Sequence, residues 1–182
     1  MKPETLLSFW FGPEAGPSKW FAGGPAFDAE VKRRFAGLYE RARERVFDDW
    51  VLEARSALAL VIALDQLPRN FFRGTARAFE SDAHALEIAE RALQDRFHRA
   101  LKPEEQLFLY LPFEHSESRF DQERSVALFS AMEGGDPAWL DYAKRHRDVI
   151  QRFGRFPHRN AALGRKNTAA EEEFLKQPGS AF

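Results

Sequence analysis

Cysteine does not occur in the 182-residue sequence, which removes disulfides, thiolate metal sites and cysteine nucleophiles in one step. No apolar stretch approaches the roughly 20 residues that a membrane-spanning helix needs. The formal net charge is only -1, so no global field draws nucleic acid or an anionic membrane to the molecule. Strand signals are missing as well, because no run of β-branched or aromatic residues alternates with period two between turn residues. There is no phosphate loop, no Rossmann fingerprint, no His-Glu-x-x-His pair and no Gly-x-Ser-x-Gly elbow. A self-similar consensus at the roughly 30 to 47 residue spacing of helical solenoids is not found. The stretch Met1–Trp10 has one basic residue, a broken apolar run and no small-residue cleavage site, so a cytoplasmic protein is expected.

What is present is a composition for folding. With 44% hydrophobic residues, 18 Phe and 4 Trp, the chain suits one domain over residues 1–182 that buries about 70% of its unfolded surface. The organising stretch runs from Leu58 to Arg73. Every residue from Ala57 to Leu64 is apolar, so a helix here has no polar face and must be packed on all sides. Pro68 disfavours helix at Leu67, and the expectation is that the helix ends there. Asp65 then faces the negative end of the helix dipole, which predicts an arginine partner, Arg69 or Arg73.

Around this centre the spacing predicts an all-α chain of about eight helices. Leu6, Leu7, Phe9 and Trp10 belong to a short helix after Pro3, followed by a loop over 12–26 in which Trp20 and Phe21 fold back as an anchor. Phe27, Val31, Phe35, Leu38, Tyr39, Ala42 and Val46 recur at three- and four-residue spacing, an amphipathic pattern. Ser81 is expected to cap the next helix. Pro103 opens another, which Pro112 should interrupt. Further helices carry Phe120, Leu128, Phe129 and Met132, then Trp139, Leu140, Ala143, Ile150 and Phe153. Thr168 and Glu171 fit a capping box, and 178–182 reads as a tail.

Three segments set polar residues among aromatics where helices are expected to break: Asp65 to Arg73, Glu114 to Glu117, and Arg155 to Arg165. Leu67-Pro68-Arg69-Asn70 and Phe156-Pro157-His158-Arg159-Asn160 echo one another. Counting Asp65, Glu114 and Glu117 against Arg69, Arg73, Arg155, Arg159 and Arg165 leaves positive charge over, which predicts a pocket for a small anion. The candidate ligand-binding residues are Arg69, Asn70, Arg73, His115, Glu117, Arg155, His158, Arg159 and Asn160. Asp65, Gln66, Ser116 and Gln122 are expected to form the structural polar network beside them. His115 with Glu117 lacks a second ligand at helical spacing, so no metal is expected. Ser116 beside His115 is no nucleophile pair, because adjacent residues seldom point at one another. His84, His98 and His146 lie within charged helices and read as surface or boundary residues. The residues imply neither a cofactor nor a reaction.

Trp10-Phe11-Gly12, Leu64 to Gly74, Tyr110 to Glu117, Arg152 to Asn160 and Leu163-Gly164-Arg165 together resemble a bacterial family catalogued as domain of unknown function 924. That resemblance covers nearly the whole chain and implies an α-α superhelix of the tetratricopeptide-like superfamily, with no established reaction to carry over. Two functions follow as expectations. The polar turns line a pocket for a small anionic ligand, or the helices form a scaffold for a protein or peptide partner and the turns only hold it together.

Overall fold

The protein is described by a computed structural model over residues 1–180, so the last two residues of the expected tail lie outside the described residues. Among these residues there are helices and no strands: α1 (Pro3–Trp10), α2 (Pro17–Trp20), α3 (Gly24–Arg43), α4 (Ala54–Phe71), α5 (Asp82–Gln94), α6 (Pro103–His115), α7 (Arg119–Ser130), α8 (Pro137–Phe153) and α9 (Ala169–Leu175). Short 3-10 turns at Asp48–Leu52, Ala76–Phe79, Phe97–Ala100 and Pro157–Arg159 connect them. The architecture is all-α, as expected.

The apolar run does what its lack of a polar face requires. Residues 57–64 are all fully buried, and α4 packs against α1, α3, α5 and α6. Around it lies an aromatic layer in which Trp10 and Trp20 meet Phe108 edge-on, with ring centroids 5.6 and 4.9 Å apart. Trp20 comes from α2, a single helical turn inside the expected 12–26 loop, and its indole N–H donates to the Trp10 carbonyl at 2.8 Å. It is the anchor. Phe21 is 62% exposed and stacks over Phe108 at the edge of the layer. Val46 falls beyond the end of α3 and Met132 beyond α7, and Phe120 points outward at 73% exposure.

Neither internal proline ends its helix, contrary to the expectation. α4 runs through Pro68 to Phe71, and α6 through Pro112 to His115. A proline inside a helix takes away the N–H that would bond the carbonyl four residues earlier. For Pro68 that carbonyl belongs to Leu64, and the Ser81 hydroxyl donates to it at 2.6 Å. Ser81 therefore does not cap α5 with its side chain; it repairs α4 instead. At Pro112, burial of every residue from Leu107 to Glu114 holds the helix against the local cost of about 3 kcal/mol.

The end of α6 is fixed from α7. Gln122, fully buried, donates from Nε2 to the carbonyls of Glu114 at 2.6 Å and Ser116 at 2.7 Å, which satisfies acceptors that the helix terminus leaves open. The expected cap on α9 is present, with Thr168 accepting from the Glu171 N–H, and Asp136 caps α8 by accepting from that of Ala138. α8 stops at Gly154, whose φ of 70° turns the chain back toward the centre. Among the described residues no helix is long and apolar enough to cross a membrane.

Candidate functional site

The last turn of α4 and the ends of α6 and α8 converge on one polar centre. Asp65 is its innermost group, with a side chain 1% exposed. Its Oδ1 accepts from His115 Nδ1 at 2.7 Å and faces Arg69 Nη1 at 3.2 Å, while Oδ2 accepts from Gln66 Nε2 at 2.6 Å. Desolvation pushes its carboxyl upward most strongly, yet Arg69 and His115 together outweigh it and hold Asp65 below its ordinary value. The arginine partner expected from the dipole argument is Arg69.

Arg69 spans two carboxylates. Beyond Asp65 it makes a fork to Asp82 at the start of α5, with Nη1 to Oδ1 at 2.8 Å and Nη2 to Oδ2 at 3.0 Å. Arg159 approaches the same Asp82 Oδ2 from the other side at 3.4 Å. The two echoing segments, each with a proline and an Arg-Asn pair, thus place their arginines on one carboxylate. Arg159 lies over the rings of Phe79 and Phe156, at 4.7 and 4.5 Å from their centroids. Its side chain is 8% exposed, and its Nε is buried without a hydrogen-bond partner. Desolvation first, then repulsion from Arg69, lowers its pKa to about 10.

Histidines border this pair of arginines. Because Asp65 is ionised, His115 carries its proton on Nδ1, and its Nε2 makes no hydrogen bond among the described residues. Burial and the nearby Arg69 hold the ring below its usual pKa. His146 lies 6.4 Å from His115 between ring centroids and is buried to 5% exposure. Its Nδ1 donates to the Tyr142 carbonyl at 2.9 Å, and desolvation lowers it to about 3. His158, with its ring 5.5 Å from Phe156, is lowered to about 4 by desolvation and by Arg159. Glu114, beside His146 at 3.2 Å, is raised to about 8 by burial and by the charge of Asp65, so that contact joins two uncharged groups.

Other candidates lie elsewhere. Arg73 and Asn70 both turn to Asp28 of α3, at 3.0 and 2.7 Å, on the wall of a separate cleft of about 600 Å³ that also includes Phe21 and Lys32. Arg155 forks onto Glu171 of α9 at 2.6 and 2.8 Å. Arg165 forks onto Glu117, which also accepts the Phe156 N–H and borders the centre; Asn160 accepts from Arg165 at 2.8 Å. Ser116 donates to Asp121. The charge surplus counted from the sequence is consequently absorbed at Arg73, Arg155 and Arg69 by Asp28, Glu171 and Asp82, three carboxylates outside the segments counted. Sequence reasoning missed Asp82, Phe79 and the burial of His146. The last had a signal, since His146 fills the gap between Ala143 and Ile150 on the buried face of α8. His84 is likewise buried and faces Asp48 at 3.1 Å. Among the described residues no group of three His, Asp or Glu side chains is arranged to hold a metal ion.

The family model described as "Bacterial protein of unknown function (DUF924)" matches residues 6–179. A solved structure titled "Structure of Protein of Unknown Function ATU0120 from Agrobacterium tumefaciens" is 39% identical and superposes with a TM-score of 0.89, over 96% of this chain and 96% of that one. No curated protein matches. The match over nearly the whole length, with the same helical fold, makes this chain a member of the bacterial DUF924 family.

Proposed function

We propose that the centre binds a small molecule through an oxyanion, a phosphate or a carboxylate, seated on Arg159 with Arg69 and His158 beside it. The carrying observation is Arg159 itself. It is a guanidinium nine-tenths buried, with an orphaned Nε and one long bond to a carboxylate that Arg69 already grips with two shorter ones. Donors left open in a desolvated site are costly, and an arriving oxyanion offsets that cost. The rings of Phe79 and Phe156, with centroids 4.7 and 4.5 Å from the Arg159 guanidinium carbon, hold the side chain in place. A cytoplasmic setting, rich in phosphorylated and carboxylated metabolites, accords with this reading.

Phosphate, sulfate and small carboxylates are therefore expected to raise the melting temperature with the logarithm of their concentration. Arg159→Gln should remove that response, whereas Arg155→Gln, which breaks the fork onto Glu171 and the bond to the Lys166 carbonyl, should keep it. A wild type that no anion stabilises, or an Arg159 variant that responds equally, sinks the proposal. The scaffold reading, suggested by the resemblance to tetratricopeptide-like superhelices, then takes its place; it draws support from Arg73, Arg155 and Arg165, whose charges are met within the fold.

A further inference from the structure

We propose that Asp65 and His115 form a general-base dyad that hydrolyses a phosphate ester held on Arg159, an inference that rests on the oxyanion site just described. The geometry has three parts. Asp65 is buried, ionised and bonded at 2.7 Å to Nδ1 of His115, which fixes the tautomer and leaves the lone pair on Nε2. Nε2 has no hydrogen-bond partner among the described residues and is not one of the enclosed polar atoms, so it meets solvent. Asp65 also touches Arg69, which shares Asp82 with Arg159, so base and anion receptor are linked through two carboxylates.

A structural network does not require this arrangement. A purely structural His115 is complete with its bond to Asp65 and does not call for a second nitrogen open to solvent. Arg69 against Asp65 and Arg159 on the shared Asp82 suit a phosphoryl group, whose transfer needs charge stabilisation on its oxygens more than covalent help. In the step, His115 Nε2 takes a proton from water as the water oxygen bonds to phosphorus. The bond from phosphorus to the ester oxygen breaks, and that oxygen leaves with the electron pair. The proton on His115 then passes to the leaving oxygen, giving an alcohol and inorganic phosphate. Asp65 stays ionised throughout and offsets the transient imidazolium charge; it is a positioning residue.

The test uses the full chain, p-nitrophenyl phosphate as substrate and inorganic phosphate as ligand. Wild type is expected to turn over the ester. His115→Asn should lose about a hundredfold or more in kcat while its phosphate-induced melting shift persists. Asp65→Asn should lower kcat with KM little changed. A second measurement needs no variant. Diethyl pyrocarbonate acylates a neutral, accessible imidazole nitrogen, so peptide mass spectrometry should find His115 modified well ahead of His146, and phosphate should protect it. If phosphate stabilises and protects the wild type but turnover is absent, or is unchanged in His115→Asn, the catalytic inference falls and the anion site stands. If phosphate neither stabilises nor protects, both fall.

Discussion

Asp65→Ala is expected to cost the fold about 3 kcal/mol, the typical loss when one partner of a buried ion pair is removed. The carboxylate accepts from His115 and Gln66 and faces Arg69, all at the deepest point of the polar centre. Its removal leaves those buried donors without their acceptor, and Arg69 keeps only Asp82 as a counter-charge. The folded carboxyl is held below its ordinary value, so its contribution is fully present above the unfolded pKa near 3.8 and is lost only as pH falls through the lower folded value. Urea unfolding at pH 7 should show a lower midpoint with an unchanged slope. A loss within about 0.5 kcal/mol, the range of ordinary surface substitutions, would show that the centre is solvated instead.

Glu114→Gln should act in the opposite direction and stabilise the protein at neutral pH. The folded carboxyl is raised to about 8 from 4.5, so between those values the native state holds a proton that the unfolded chain has released. Stability from the protonated form is complete below pH 4.5 and is lost as pH rises through 8. Glutamine keeps the shape and carries no such penalty. Its advantage should be below about 1 kcal/mol at pH 5 and reach about 3 kcal/mol at pH 7, at 1.36 kcal/mol for each pKa unit between the unfolded value and the working pH. His146, lowered to about 3, contributes the reverse slope, since the unfolded chain takes up its proton below pH 6.5. Subtracting wild type from variant at each pH cancels that slope and isolates Glu114. A difference that stays flat from pH 5 to 8 would mean that Glu114 is ionised in the fold.

Periodicity made the helices legible because packing and local pattern agree along most of the chain. The apolar Ala57–Leu64 segment had only one placement open to it, and α4 occupies it. Where pattern and tertiary structure compete, the local rule lost. Pro68 breaks a helix unless something distant donates to the Leu64 carbonyl it frees, and Ser81, 17 residues from Leu64, is not a partner that spacing can nominate. The site shows the same division. Arg69, His115, His158 and Arg159 were visible as polar residues set among aromatics, and they do converge. Asp28, Asp82 and Glu171 could not be assigned as their neighbours' counter-charges from the chain order, because each belongs to a different helix. A charge count over three segments therefore overstated the surplus. What remains after correction is not excess charge but one under-bonded guanidinium.

That guanidinium can be observed directly by following the arginine Nε–H signals of 15N-labelled protein during a phosphate titration. The Arg159 signal should move and saturate, with Arg155, locked onto Glu171, staying in place as the internal control. An Arg159 signal that does not move at phosphate concentrations that shift other residues would contradict the claim that this side chain is the anion receptor.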